Sequence, residues 1–463
     1  MIRKILGKLH KYAKLIIQGQ SRKTLPFVSG DEVLKNKHHF ISNADFVNEL
    51  QKETVIQLNQ HDLFPAENLT NLASESSKIL ITKKNGRIYH NDSKKYLKVL
   101  GDFIEQSRIP EEWKNGGLHF AGYIETKARW CLPSWVWTNA SIVRYYFSIG
   151  ENSKAIQLAN KLLALQLQNG GWMVRYDFSD PEHSISPVVA PNDSAYIARK
   201  ALLTAYEKTK NSNFLNAAIK CADWIINEGC IDDMPMIGFN PETQKWGENN
   251  IVDVGFTADL FCKLFEITGE LKYKNFADYF IKRYVELFYI GEGKFATAIN
   301  KNNQQLGGIF ARGQAWALEG LIPYYEMTED VKIKKIIEQV VDHLLQKQSG
   351  NGAWLYNLRS GFMGWATGYD NKGTPLLAHA LQRCLDIIES EDRKKRIRIA
   401  IKKSVQWCKE HTYNVNGIGG MILSYNFEGA IVHSFYTKTA FVYSNCYLSE
   451  VIMNQERIEY DSN

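Results

Sequence analysis

From about residue 93 onward, apolar residues recur at helical spacing in paired runs, each pair broken by a short polar turn. After Asp193 comes SAYIARKALLTAYEKT; Asn211 to Asn213 break the pattern, and FLNAAIKCADWIINEG carries it on to a stop at Gly229. The next pair repeats the plan: Asp253, VGFTADLFCKLFEIT, a turn at Gly269, then YKNFADYFIKRYVELF up to Gly291. Turns this short predict antiparallel helical hairpins.

The openings of the first helices fall at Thr138, Asp193, Asp253, Arg312, Asn371 and Thr437, spaced by 55, 60, 59, 59 and 66 residues. Such regularity marks a structural repeat. Within each unit the first helix is poor in charge and rich in small residues, as in ARGQAWALEGLIPYY, whereas the second is amphipathic, as in VKIKKIIEQVVDHLLQK. A helix apolar all round is buried and one with a charged face is not, so the pattern predicts an all-α fold. Its expected form is an (α/α)6 toroid over residues 91–463, with six inner helices that all start at one rim. The last unit ends soon after YTKTAFVYSNCYLSEVIM and lacks an outer helix; SKKYLKVLGDFIEQS, residues 93–107, is expected to cover it and close the ring.

Residues 1–90 stand outside the repeat as an N-terminal arm. The whole chain carries +6, yet residues 1–24 hold seven cations (Arg3, Lys4, Lys8, Lys11, Lys14, Arg22, Lys23) and no acid, so the remainder sums to −1. A near-neutral body with no broad basic face excludes a nucleic-acid binder. On a helical wheel Ile2, Ile5, Leu6, Leu9, Ala13 and Ile16 share one side and Lys4, Lys8, Lys11 and Lys14 the other, with Leu15 the exception. Two readings stay open: peripheral membrane contact through residues 1–17, or a helix docked on the protein's own toroid.

Seven cysteines without a C-x-x-C pair or any metal-ligand spacing argue for reduced thiols in the cytoplasm and for no bound metal. No apolar stretch approaches the 18 residues of a spanning helix, and no secretory signal opens the chain. The 44% hydrophobic content supports a large core, and 11 Trp, 23 Tyr and 22 Phe exceed what packing asks, so some are expected to line a cleft.

Six inner-helix N-termini at one rim would favour an anionic ligand, since each carries about half a positive charge. Arg312, at such a start, offers a planar fork for a carboxylate, or else an ion pair that orients a nearby Asp. Asp193 and Asp253 open adjacent inner helices and are expected to meet as an acid/base pair; simple N-capping is the alternative. Asp370, beside Asn371, is a cap or a binding residue. Rim loops supply aromatic faces suited to sugar rings: Trp172, Tyr176, Trp246, Trp354, Trp365 and Tyr369, with His183 and His433 as further contacts.

IVDVGFTADLFCKLFEITGELKY, followed about sixty residues later by IFARGQAWALEGL, resembles the unsaturated glucuronyl hydrolases of the six-hairpin glycosidase class. NDSAYIARKALLTAYEKT and DNKGTPLLAHALQRCLDI extend the likeness over about residues 130–390. The resemblance implies Asp253 as general acid/base, Asp193 as its assistant, and Arg312 and Trp316 shaping the pocket. It further implies hydration of the 4,5 double bond of an unsaturated uronic acid at the end of an oligosaccharide, without a cofactor. Around Asp193 the chain departs from the family, with Asn192, Ser194 and Ala195 where a His, a Gly and an aromatic are usual. QLQNGGW at 166–172 is similar to terpene cyclase repeats, but no D-x-D-D or D-D-x-x-D motif accompanies it. A uronate epimerase or lyase, with tyrosines as bases, and a non-catalytic glycan-binding protein of polysaccharide synthesis are the alternatives.

Overall fold

The computed structural model describes residues 92–461, apart from loop segments 177–187, 359–368 and 423–438 and several shorter loop stretches. The basic N-terminal helix, Trp365, His183, His433 and Thr437 lie outside the described residues.

Among the described residues the chain forms twelve helical segments, which alternate between an inner and an outer ring. The outer ring consists of α1 (Ser93–Gln106), α3 (Asn152–Ala164), α5 (Ser212–Asn227), α7 (Leu271–Phe288), α9 (Val331–Lys347) and α11 (Glu391–Glu410). The inner ring starts with α2 (Val136–Ser148) and α4 (Pro191–Ile197, carried on through a π-helical turn Ala198–Leu203 to Thr204–Thr209). It continues with α6 (Thr257–Thr268, reached through a 3-10 turn Val252–Phe256), α8 (Ala311–Thr328), α10 (Gly373–Cys384) and α12 (Val442–Asp461). Each inner helix packs on its two neighbours in this order, and α12 returns to α2, so the molecule is an (α/α)6 toroid.

Closure is double. α1 covers the outer face of α12, and in the rim Gly122–Ile124 pairs antiparallel with Thr439–Phe441, matching Tyr123 to Ala440. The first and last hairpins are thereby stitched by helix packing and by backbone hydrogen bonds. The sixth inner helix begins at Val442, five residues beyond the opening expected at Thr437, because Thr439–Phe441 belongs to this ladder.

Three inner helices end alike. Thr209, Thr268 and Thr328 return their hydroxyls to the carbonyl four residues back, and the next residue (Lys210, Gly269 or Glu329) turns left-handed with φ of 58°, 71° and 55°. The following residue starts the outer helix; there Asn211 and Asp330 cap the N–H groups of Asn213 and Lys332 at 3.0 and 2.8 Å. The sequence T-x-[N/E/D] is thus the hairpin turn itself.

α8 crosses α6 so closely that side chains are excluded between them. A Cβ at Gly320 would stand 2.0 Å from the Gly255 carbonyl oxygen, and one at Gly313 2.4 Å from Val252 Cγ1. From the outside, Tyr284 of α7 donates to the Val252 carbonyl at 2.8 Å and fills the space a Cβ on Gly255 would need. The short turn that carries Asp253 is therefore clamped between the backbone of α8 and the Tyr284 side chain of α7.

Replacing a helical glycine with alanine normally gains about 1 kcal/mol of helix propensity, but at Gly320 the obstacle is backbone and cannot rotate away. Gly320→Ala is expected to lower unfolding free energy in urea by about 1–3 kcal/mol, whereas Gly350→Ala, which meets nothing within 4 Å, leaves it unchanged.

Candidate active site

Four inner helices open on N-cap residues, Trp135, Ala190, Phe310 and Lys372, that themselves make no side-chain capping bond. Asp193 and Asp253 are not N-caps. Asp193 stands third in α4, behind Pro191 and Asn192, and Asp253 second in its 3-10 turn. The pattern read as capping arises because the chain reaches the helix in extended form two or three residues before each aspartate.

Both carboxylates line one cleft, together with Trp137, Tyr196, Phe256, Trp316, Tyr443 and Tyr447. They are 6% and 4% exposed, set low in the funnel. Phe256 stands edge-on to Trp316 and to Tyr196, and Trp137 meets Tyr443 edge-on at 4.5 Å between centroids. Two acids on an aromatic wall can hold a pyranose by its apolar face and exchange protons with it.

Of these, Trp137, Tyr196, Phe256, Tyr443 and Tyr447 were not expected from the sequence, although a signal was present. Tyr196 follows Asp193 by three residues, Phe256 follows Asp253 by three, and Trp316 follows Arg312 by four. Spacings of three and four place each aromatic on the same helix face as the residue at the opening.

Arg312 takes the ion-pair option. It is fully buried, with Nε 3.3 Å from Asp370 Oδ2, Nη1 donating to Tyr443 Oη at 3.1 Å, and its guanidinium over the rings of Phe310 and Trp316. Asp370 also accepts the Lys372 N–H at 3.0 Å, and its carbonyl accepts from Thr374 N–H at 2.8 Å. Neither residue lines the cleft, which corrects the expectation that they touch substrate: Arg312 supports Trp316 and Tyr443 from behind, and Asp370 ties it to the start of α10. Gly373 leaves room for this pair, since a Cβ there would lie 2.5 Å from Asp370 Oδ2.

Two of the expected sugar-stacking tryptophans belong to the core. Trp172 is buried and its indole N–H donates to the Leu162 carbonyl at 2.7 Å; Trp354 does the same to Leu344 at 2.9 Å. Gln166 and Gln348 each clasp the glycine carbonyl four residues on, at 2.8 and 2.9 Å, and Gly170 and Gly352 turn through φ of 104° and 97°. The backbone N–H groups of Trp172 and Trp354 then meet Ser194 and Thr374 at the next inner helix. Q-x-x-N-G-x-W is thus a repeated strap from the end of an outer helix to the start of the following inner one. Tyr176 is likewise buried, with its hydroxyl donated to the Leu165 carbonyl at 3.2 Å. Trp246 sits in a short ladder with Phe239. Among the described residues no group of three or more His, Cys, Asp or Glu is placed to hold a metal ion.

Below the cleft, Arg144 donates to Glu450 at 2.8 Å, and His379 Nε2 lies 3.2 Å from the same carboxylate. Burial alone would raise the Glu450 carboxyl, but Arg144 and His379 outweigh it and hold it down at about 2. Further along, Asp259 is bound by Arg199 and Lys200 from the π-helical turn at 2.8 and 2.7 Å.

Residues 145–350, from the last turn of α2 through α9, match the family described as Beta-L-arabinofuranosidase, GH127 catalytic domain. No curated protein matches the sequence. Among solved structures, an unsaturated glucuronyl hydrolase specific for heparin superposes with TM-score 0.61 at 13% identity, covering 80% of this chain and 98% of its own. An unsaturated glucuronyl hydrolase from Streptococcus agalactiae gives 0.58 at 15%, covering 84% and 96%, and an alpha-amylase from Clostridium perfringens gives 0.56 at 13%, covering 78% and 98%. At these identities the likeness is one of fold, and it places the chain among proteins built like the six-hairpin glycosidases.

Trp172→Ala is expected to lower unfolding free energy by about 3–5 kcal/mol while leaving sugar affinity of the remaining folded protein intact; Trp316→Ala is expected to weaken sugar binding, measured by calorimetry. Acid sensitivity follows from Glu450. Its carboxyl titrates near 4.5 unfolded and near 2 folded, so its contribution is whole above about pH 4.5 and is lost as pH falls toward 2. Glu450→Gln should flatten the fall in urea stability across that window and lower stability at neutral pH, where Arg144 loses its partner.

Proposed function

We propose that the chain is a glycoside hydrolase of the six-hairpin type that acts on oligosaccharides ending in a 4,5-unsaturated uronic acid. The observation that carries this reading is the meeting of Asp193 and Asp253 in one aromatic cleft at the rim where the inner helices begin. The glycosidase match over residues 145–350 supports hydrolysis in general. The choice of an unsaturated uronate rests on the sequence resemblance around Asp253 and on a rim of helix N-termini that favours an anion. With Arg312 engaged by Asp370, a substrate carboxylate would draw on those N-termini for its counter-charge.

In this mechanism Asp253, protonated, gives its hydron to C4 of the ring, and water adds to C5 while its own proton passes to the carboxylate. The product at C5 is a hemiketal. Its ring opens between C5 and the ring oxygen, leaving a hemiacetal at C1 that expels the next sugar as an alcohol. One carboxyl serves both proton transfers, and Asp193 holds the attacking water and biases the charge of its neighbour.

A second reading is hydrolysis of a β-L-arabinofuranoside, favoured by the family match. Incubation with a 4,5-unsaturated disaccharide decides: absorbance of the double bond falls under the first reading, and under the second it persists while arabinose is released from an arabinofuranoside. Asp253→Asn is expected to reduce turnover by about three orders of magnitude or more with sugar affinity retained. Turnover at the wild-type rate in this variant sinks the assignment of Asp253.

A further inference from the structure

Beneath the two aspartates the cleft is floored by tyrosines whose hydroxyls form a chain across the ring axis. Tyr447 Oη of α12 donates to Glu319 Oε1 of α8 at 3.0 Å. Tyr447 and Tyr196 of α4 are bonded hydroxyl to hydroxyl, and Tyr196 Oη lies 3.0 Å from Ser141 Oγ of α2. Glu319 is 1% exposed, and its second oxygen has no hydrogen-bond partner among the described residues.

A phenol has a single proton to give. Tyr447 has given its proton to Glu319, so in the bond between the tyrosines Tyr196 is the donor. Tyr196 is then spent, so the proton in its contact with Ser141 is the serine's, which the Trp137 carbonyl also accepts at 3.2 Å. Both phenol hydrogens point the same way, toward the buried carboxyl. Burial, followed by the charge of Glu319, raises both phenols far above working pH, so neither proton is lost to solvent. Each tyrosine oxygen has donated one bond and accepted one, which leaves one lone pair and no hydrogen.

We propose that Glu319, acting through Tyr447 and Tyr196, makes the cleft floor a hydrogen-bond acceptor that selects a sugar with a free ring hydroxyl at that depth. Glu319 is a positioning residue and the two tyrosines read the substrate. The proposal rests on the glycosidase reading of the cleft and adds a determinant of specificity: a ring carrying an ether, an ester or hydrogen in place of that hydroxyl leaves the remaining lone pair unfilled and binds less well. Arg144, whose guanidinium lies 4.7 Å from the Tyr447 ring centroid, keeps that ring in place from below.

The test compares an unsaturated disaccharide with its monodeoxy analogues, in the wild type and in Tyr447→Phe. One deoxy position is expected to lower wild-type kcat/KM about tenfold to a hundredfold. Tyr447→Phe should lose a similar factor on the parent sugar and no further factor on that analogue. Glu319→Gln, which keeps the size of the side chain but can turn an N–H toward Tyr447, should weaken discrimination between the two sugars with little change on the deoxy analogue. An equal loss on both sugars in Tyr447→Phe shows a structural role and overturns the proposal, as does a wild type indifferent to every deoxy position. If the wild type leaves the unsaturated sugar untouched, the same pair of measurements is made on binding and cleavage of an arabinofuranoside and its deoxy analogues. Discrimination that depends on Tyr447 there upholds the floor while the uronate reading falls; its absence overturns the floor as well.

Discussion

Everything in this molecule depends on closing the ring. The six inner helices are apolar on nearly every face, so none can end exposed to water. Among the described residues no helix follows α12, and its cover comes from the opposite end of the described chain, where Tyr96, Leu100, Phe103 and Ile104 of α1 are buried. The ladder between Gly122–Ile124 and Thr439–Phe441 makes the same connection at the rim. With the circle closed, alternation of direction brings every inner helix start to one side, and residues as distant in sequence as Trp137 and Tyr443 meet edge to edge. The cleft is a consequence of closure rather than a separate construction.

A closed ring of close-packed helices also needs something along its axis. Here the axis is polar: the hydroxyl chain ends at Glu319, Arg144 joins Glu450 and His379, and Asp259 takes both cations of the π-helical turn in α4. Buried charges are expensive unless paired and hydrogen-bonded, and these pairs each span two inner helices. The extra residue of the π turn sends the adjacent Arg199 and Lys200 toward the same carboxylate, which a regular helix with about 100° between neighbours would hinder. The polar axis therefore fixes the rotation of each inner helix about its own length, and with it the direction in which the aromatic residues of the first two turns face.

The architecture was legible because it is written in periodicity. The even spacing of the openings gave the number of hairpins, and the contrast between ARGQAWALEGLIPYY and VKIKKIIEQVVDHLLQK separated inner from outer helices. The meeting of Asp193 and Asp253 was legible for the same reason, since both stand at the same phase of adjacent repeats. The roles of the aromatics were harder to read, because residue type does not say which way a ring points. Trp172 and Trp354 looked like sugar platforms, yet each is the hidden end of a Q-x-x-N-G-x-W strap, and only the recurrence of that spacing in two units betrayed a structural duty. For Arg312 the sequence left two options open, a substrate carboxylate or an ion pair with a nearby Asp, because the partner, Asp370, stands 58 residues later and reaches its Nε only in three dimensions.

The same toroid is found in proteins described as glucuronyl hydrolases and as an amylase, so the fold by itself does not choose a substrate. What can choose is the short list of groups that face the cleft. Its walls are aromatic, and its two carboxyls are groups that can exchange protons with a bound ring. The features that differ in kind are the helix starts around the rim, whose N–H groups favour negative charge and one of which, at α10, already holds the Asp370 carboxylate, and the proposed tyrosine floor, which offers lone pairs without protons. A sugar ring that brings a carboxylate to the rim and a hydroxyl to the floor satisfies both at once. Swapping those two groups would set an anion against two acceptor oxygens. On the proposed uronate reading the cleft is polarised along its depth, and that polarity sets the orientation in which an acidic sugar would enter.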